Sequence, residues 1–232
     1  DFCLSRGLGD VYKRQVVEGF VDRVDVWQSG GRPYVRVVDY KTGKKSFDYT
    51  NVLHGRGLQM LLYLFALVRQ GGHLLHGEPL PAGVLYFPAR IERVSVRDRL
   101  AQAEIEKERR KQLRRSGVLL NSDPVLEAME PCGGSPRFLP YTLDKEGRKT
   151  GDLASFVQLA QLERFVFRTV AALGDELADG RIDPDPCIRD AKDSACAFCP
   201  YSEICAGHEQ PRWLKKITAE EFWQTLERRE HG

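Results

Sequence analysis

Alternating apolar and polar positions define the first clear element of the chain. Residues 16–27 and 34–41 are rich in valine and alternate with a period of two, and Gly30 and Gly31 lie between them. This alternation is typical of strands that are buried on one face, and adjacent glycines favour a tight turn. The pattern predicts an antiparallel β-hairpin.

After the hairpin, apolar residues recur at the spacing of a helix. Residues 51–72 predict one long helix, capped by Asn51 and ended by Gly71, and its apolar middle indicates that it is buried. Two further strands are predicted at residues 82–91 and 92–96.

A charged helix is predicted at residues 97–117, with cations gathered near its C-terminal end, where the helix dipole favours them. Its charged positions are interpreted as a solvent-exposed face in preference to a DNA-contacting face.

Two helices are predicted in the C-terminal half. Residues 151–180 form an amphipathic pattern with Asp152 as a candidate cap, and the apolar positions that keep helical spacing are Phe156, Leu159, Leu162, Phe165 and Val166. Thr218 and Glu221 have the spacing of a capping box at the start of a terminal helix. The fold class is therefore α/β, a mixed central sheet flanked by helices, with a small cysteine-rich module near the C-terminus.

Composition limits the partners. The 232 residues are 42% hydrophobic, which is enough for one sizeable core, and 35 Lys and Arg against 33 Asp and Glu leave a net charge of +2. Net charge therefore does not indicate a nucleic-acid partner. No apolar run is long enough to span a membrane and the first residues lack the apolar core of a signal peptide, so we expect a soluble, cytoplasmic protein. Residues 1–15 match neither a strand nor a helix and are expected to be a non-native or truncated start.

Four of the six cysteines lie in a short stretch near the C-terminus. Cys196 and Cys199 form a C-x-x-C pair, and Cys205 follows six residues later. Thiolates spaced in this way are typical of a metal centre. Spacing alone leaves two alternatives, a tetrahedral Zn²⁺ completed by Cys187 or His208, and an iron–sulfur cluster held by four cysteines.

The hairpin places carboxylates where core residues are expected. Asp22 shares a face with Val24 and Val26, and Asp39 shares one with Val37 and Lys41. Buried carboxylates are costly unless a cation compensates them, and two acids on paired strands suit a hard divalent ion such as Mg²⁺ or Mn²⁺. The structural alternative is an ion pair between Asp22 and Lys41, with Asp39 at a solvent-exposed strand end.

Lys41 follows Asp39 by two residues on the same face of the strand. From there an ammonium can orient an attacking water or stabilise charge on a phosphate. Two acids, a base and a metal together indicate hydrolysis of a phosphodiester.

Residues 19–25, 37–45 and 57–63 resemble the RecB-like nucleases of the PD-(D/E)XK superfamily. The resemblance implies a restriction-endonuclease-like core. It also implies metal binding by Asp22, Asp39 and the backbone carbonyl of Tyr40, catalysis by Lys41, and a supporting or DNA-contacting role for Gln59 and Tyr63. The further His or Glu ligand that this family carries on an upstream helix has no counterpart before Asp22.

Residues 114–130 and 195–205 resemble the C-terminal part of the AddB-type subunits of bacterial ATP-dependent helicase–nucleases. This resemblance implies a [4Fe–4S] cluster on Cys196, Cys199 and Cys205, with Cys187 as a candidate fourth ligand. It also implies an AddA-type partner subunit and a role in double-strand break repair and recombination. The chain contains no GxxxxGK[ST] phosphate loop and so is not itself the ATP-driven motor. Single-stranded DNA fed by that motor is expected to meet Lys44, Lys45 and Arg56.

These patterns divide the chain into the start at 1–15, a nuclease core at 16–185, a cluster module at 186–210 and a C-terminal helix at 211–232. Three alternatives remain open. They are a free-standing exonuclease of the CRISPR-adaptation type with an iron–sulfur cluster, a catalytically inactive DNA-binding or scaffold module, and a Zn²⁺-stabilised interaction domain.

Overall fold

The computed structural model describes residues 2–3, 17–43, 45–90, 102–190, 193–197, 199–205 and 211–231. They fall into two compact units. The first contains the described residues of 1–5, 16–47 and 58–166, and the second contains those of 48–57 and 167–232.

Eleven strands occur among the described residues: β1 (Phe2–Cys3), β2 (Glu18–Gly19), β3 (Arg23–Ser29), β4 (Arg32–Lys41), β5 (Leu80–Pro88), β6 (Ser116–Leu120), β7 (Tyr141–Leu143), β8 (Lys149–Gly151), β9 (Leu153–Ala154), β10 (Cys187–Ile188) and β11 (Arg212–Trp213). Seven helices occur in the same part of the chain: α1 (Tyr49–Leu53), α2 (Gln59–Gln70), α3 (Gly72–Leu75), α4 (Gln102–Gln112), α5 (Asp123–Met129), α6 (Phe156–Ala178) and α7 (Ala219–His231).

A five-stranded sheet in the order β3-β4-β5-β6-β9 organises the first unit. The pairs β3/β4 and β5/β6 are antiparallel, whereas β4/β5 and β6/β9 are parallel. The predicted mixed sheet is therefore confirmed. The predicted hairpin is β3 and β4, and its turn is allowed by positive φ angles of 58° at Gly30 and 75° at Gly31.

The core of this unit forms around the middle strands of the sheet. Val35, Val37, Val84 and Leu119 have no solvent exposure, and α2 packs against β4 and β5. Each fully buried side chain of this size contributes about 1.5 to 3 kcal/mol to folding. A further buried cluster joins Leu85 of β5 and Leu119 of β6 to α5 and to the segment before β7.

The single long helix predicted over residues 51–72 is wrong, because the segment is divided into α1, α2 and α3. Gly55 and Gly57 lie between α1 and α2 with φ angles of 73° and 67°, which interrupt a right-handed helix. Asn51 is not the cap, since the side chain of Asp48 accepts a hydrogen bond from the Asn51 N–H at 3.0 Å. Gly71 ends α2 as predicted.

The predicted charged helix is confirmed over α4, and none of its residues is buried, as expected for a solvent-exposed helix, but Ser116 and Gly117 belong to β6 and not to the helix. The strand predicted at 92–96 lies outside the described residues.

The predicted amphipathic helix is confirmed as α6, which buries Leu159, Leu162, Phe165 and Val166. Phe156 does not belong to this buried stripe, because it is 45% exposed. Asp152 is not the cap either. Ser155 and Gln158 form reciprocal backbone-to-side-chain hydrogen bonds of 2.8 and 3.1 Å across the first turn.

In the second unit, α1 packs against α7. The ring of Tyr49 lies 5.1 Å from that of Phe222, which is fully buried. The predicted capping box of α7 is confirmed: the Thr218 N–H donates to Glu221 at 2.7 Å, and the Glu221 N–H donates to Thr218 at 3.2 Å.

Across the described ranges, the helices are either too short or too polar to traverse a lipid bilayer.

Candidate active site

Asp39 is a buried acid near the C-terminal end of β4, only 8% exposed. The Nζ atom of Lys41 lies 2.6 Å from its Oδ2 atom, which is the distance of an ion pair. The contact lacks the angles of a hydrogen bond, and Oδ2 accepts none from any described residue. The Lys41 ammonium therefore balances the charge of Asp39, while Oδ2 keeps a lone pair that a further electropositive partner can use.

Asp22 lies one residue before β3 and faces the same end of β4. Val24 pairs with Val37 and Val26 with Val35, so this register places Asp22 opposite Asp39. The Oδ2 atom of Asp22 accepts a hydrogen bond from the Tyr40 N–H at 3.0 Å, which fixes the carboxylate beside the strand end.

The expectation that Asp22 lies among core residues is wrong, because Asp22 is exposed. β3 is the edge strand of the sheet, and the neighbours that share this face, Val24 and Val26, are 37% and 41% exposed. The structural alternative is also wrong. Asp39 is buried and not at an exposed strand end, and Lys41 pairs with Asp39.

Tyr86 was not predicted from the sequence. It is the register partner of Asp39 on the parallel strand β5 and is only 6% exposed. Burial, and to a smaller degree the charge of Asp39, raises the pKa of Tyr86 above its ordinary value. The phenol therefore stays protonated and able to donate beside the carboxylate. Only the pairing of two distant strands brings the two residues together, so local periodicity carries no signal for it.

Tyr40 lies on the opposite face of β4. Its hydroxyl accepts a hydrogen bond from Nη1 of Arg23 at 3.0 Å, and its ring meets Phe87 edge-on at 5.7 Å. These contacts hold the backbone between Asp39 and Lys41 in place.

Gln59 and Tyr63 lie one turn apart on α2, and Nε2 of Gln59 donates to the Tyr63 hydroxyl at 2.9 Å. The tyrosine packs directly on Gly19 of β2, where an added Cβ atom would lie 2.4 Å from the hydroxyl oxygen. The pair therefore supports the segment that leads into Asp22.

The predicted phosphate-binding cations are not equivalent. Lys45 is exposed and lines a cleft together with Lys41. Arg56 is in the second unit, where its guanidinium pairs with Asp193 at 2.7 Å. Lys44 lies outside the described residues.

The predicted cluster ligands lie in the second unit. Cys187 is buried in β10, and Cys196 and Cys199 are joined by a turn in which the Cys199 N–H donates to the Cys196 carbonyl at 3.2 Å. No disulfide links the cysteines whose side chains are described. Within those same ranges, no three His, Cys, Asp or Glu residues are gathered closely enough to hold a metal ion. The arrangement of Cys196, Cys199 and Cys205 therefore does not by itself fit a cluster.

The donors at the end of β4 match a hard divalent cation in chemical type, although the described residues gather no third acid, His or Cys beside them. Asp39 and Asp22 supply carboxylate oxygens from adjacent strands, and the buried Oδ2 of Asp39 lacks a hydrogen-bond donor among the described residues. Oxygen donors of this kind are those that Mg²⁺ and Mn²⁺ prefer.

A mixed sheet that carries an acid–lysine pair at the end of a buried strand is consistent with a nuclease fold. The sequence model of the PD-(D/E)XK nuclease superfamily matches residues 4–206, and the chain belongs to that superfamily.

Relatives with curated names show which proteins of this superfamily the chain resembles. The chain is 36% identical over 197 residues to the B subunit of the ATP-dependent helicase/deoxyribonuclease of Moorella thermoacetica. The matched region covers 84% of this chain and 17% of that protein. It is 30% identical over 226 residues to the protein of the same name in Clostridium perfringens strain 13, covering 93% of this chain and 19% of the relative. The protein of that name in Oceanobacillus iheyensis is 30% identical over 197 residues, or 82% of this chain and 17% of the relative. The chain thus spans less than a fifth of the length of these relatives, and the resemblance to AddB-type subunits is confirmed.

Proposed function

We propose that the chain is a divalent-metal-dependent deoxyribonuclease domain that hydrolyses phosphodiester bonds of single-stranded DNA as an exonuclease. The buried Oδ2 atom of Asp39, which has Lys41 at 2.6 Å and no hydrogen-bond donor among the described residues, carries this proposal. A buried carboxylate that has an ion-pair partner but no hydrogen-bond donor among the described residues costs stability, and such a cost is typical of functional sites.

Each residue of the site has a proposed role. Asp39 and Asp22, with the backbone carbonyl of Tyr40, would hold Mg²⁺ or Mn²⁺. When bound, the ion would supply Lewis-acid stabilisation of the charge that develops on the phosphate. Lys41 orients the attacking water and stabilises the phosphate oxygens. Gln59 and Tyr63 support the Asp22 segment through their mutual hydrogen bond of 2.9 Å.

The domain is proposed to act within a longer protein. By similarity to the helicase/deoxyribonuclease relatives, its partner would be an AddA-type subunit that delivers DNA, and its role would be double-strand break repair and recombination in the cytoplasm. Within this chain, residues 16–185 would form the nuclease core and residues 186–210 the cluster module.

A [4Fe–4S] cluster on Cys196, Cys199 and Cys205, with Cys187 as fourth ligand, is part of the proposal. The C-x-x-C spacing and the similarity to the AddB-type relatives support it, and no catalytic step depends on it. Iron and sulfide analysis after anaerobic purification tests this part, with the matched variant Cys196→Ser beside the unchanged chain. Equal iron content in both would contradict the assignment of Cys196.

The nuclease proposal is tested by degradation of end-labelled single-stranded DNA in Mg²⁺ or in EDTA. We expect cutting only with Mg²⁺, and its loss in Asp39→Ala. The control is Glu78→Ala, which removes an acid that is 90% exposed and leaves the site intact. If the unchanged chain binds DNA but does not cut it, the domain is a binding module.

A further inference from the structure

A cleft of about 240 Å³ opens directly beside the Asp39–Lys41 pair. It is formed by the residues at and after the C-terminal ends of β4 and β5, by the last residue of α4 and by the segment that leads from α4 to β6. Lys41 belongs to both the site and the cleft, and Tyr86, the register partner of Asp39, lines the cleft wall. The cleft is therefore continuous with the active site.

Cations from distant parts of the chain converge on this cleft. Lys41, Lys45, Arg90 and Arg114 line it, and none of the lining residues that the structure describes is acidic. Lys45 and Arg90 are exposed and make no ion pair with a described residue, whereas Arg114 is oriented by a 3.2 Å hydrogen bond from Nη2 to the Tyr141 carbonyl. In a chain whose net charge is only +2, this local excess of positive charge favours an anionic ligand.

Gln112 adds an unsatisfied polar group to the lining. Its Oε1 atom is buried and has no hydrogen-bond partner among the described residues. The oxygen and nitrogen of an amide side chain exchange places by a flip, so the same group can present its N–H₂ to a phosphate oxygen. The cleft thus offers charged donors and one amide, which suits an oxyanion.

We infer that this cleft binds the backbone phosphates of the single strand next to the phosphate being cleaved, through Arg90, Arg114, Lys45 and Gln112. The inference rests on the proposed function, because it is the cutting site that fixes where the strand enters. The cleft, of about 240 Å³, is smaller than the roughly 300 to 1,000 Å³ of ordinary ligand pockets, which suits phosphate groups better than a whole small molecule, and the single strand is taken from the proposed function.

The test is binding of a fluorescein-labelled oligothymidylate, measured by anisotropy in EDTA so that cleavage does not enter. The double variant Arg90→Gln/Arg114→Gln is compared with Lys107→Gln/Arg109→Gln, which removes the same charge from exposed positions of α4. We expect about tenfold weaker binding for the cleft variant. The slope of log binding constant against log salt concentration should also become shallower by about 1.4, from about 0.7 for each of the two lost phosphate contacts. The single variant Arg90→Glu, at an exposed residue, provides the same test without disturbing the Arg114–Tyr141 contact.

Equal affinity of the cleft variants and the α4 control would overturn the inference, even if the chain cuts DNA with Mg²⁺. Cleft-dependent binding by a chain that does not cut would support the inference while contradicting the proposed nuclease. Equally tight, cleft-dependent binding of a blunt duplex of the same length would overturn the assignment to a single strand.

Discussion

Replacing Asp39 by asparagine separates a metal ligand from a structural ion pair. The two side chains have nearly the same shape, so the variant removes one charge from a residue that is 8% exposed and adds no cavity. If Asp39 and Asp22 bind a divalent ion, the stability of the chain depends on Mg²⁺, and that dependence disappears in the variant.

The size of the effect follows from linkage. An ion present at about 100 times its dissociation constant stabilises the folded state by about 2.7 kcal/mol. For a chain of this length this corresponds to a rise in Tm of about 5 to 10 °C. Without the ion, loss of the Lys41 contact costs about 1 kcal/mol or less, because the lysine side chain is 36% exposed and solvent screens the pair. Removing a charged acceptor that lacks a hydrogen bond offsets part of that cost.

The assay is thermal unfolding with Mg²⁺ and with EDTA, for the unchanged chain, Asp39→Asn and the exposed control Glu78→Gln. We expect Mg²⁺ to raise Tm in the unchanged chain and in the control, and to leave it unchanged in Asp39→Asn, whose DNA cutting falls by about 100-fold or more. A loss of about 3 kcal/mol or more in EDTA, or a Tm of Asp39→Asn that still rises with Mg²⁺, would refute the reasoning and make the Asp39–Lys41 pair structural.

Two further changes test the contacts that hold the elements in place. Arg189→Met removes hydrogen bonds of 2.8 Å to Asp48 and 3.1 Å to Asn51 and should cost about 2 kcal/mol in urea unfolding. Although burial raises the pKa of Asp48, the hydrogen bonds from Arg189 and from the Asn51 backbone outweigh it and lower the pKa below 3.8. The contribution of Asp48 is therefore present above about pH 3.8 and lost as the pH falls through the lower folded-state pKa, so an unchanged acid midpoint in Arg189→Met would contradict the assignment. Ser155→Ala removes the cap of α6 and should lower the free energy of unfolding by about 1 kcal/mol, with recovery in Ser155→Asp; an unchanged free energy of unfolding in Ser155→Ala would contradict it.

The face shared by the two acids was predictable because it depends only on local periodicity. Within a hairpin the side-chain period is two, so placing Val24 opposite Val37 also places Asp22 opposite Asp39. Burial was not predictable in the same way. It depends on which strand lies at the edge of the sheet, and that is fixed by the pairing of β4 with β5, residues far apart in the chain.

β6 shows a second limit of the sequence pattern. Residues 117–120 are all buried, so the strand has no alternation to distinguish it, and neither it nor α5 was assigned from periodicity. Arg114 precedes this strand and reaches the cleft only because β6 pairs with β5. The cations of the cleft are dispersed along the sequence, and their convergence is a property of the sheet.

The positions of Asp22 and Asp39 also have an energetic reason. An unsatisfied buried acceptor costs about 1 to 3 kcal/mol, and β4 offsets that cost with Val35, Val37 and Val38, each fully buried and each contributing about 1.5 to 3 kcal/mol. β3 is an edge strand whose valines on this face are about 40% exposed. Their burial therefore contributes less free energy of folding to offset the cost of a buried acid. The sheet therefore tolerates one buried carboxylate on its inner strand and keeps the other at the solvent-facing edge.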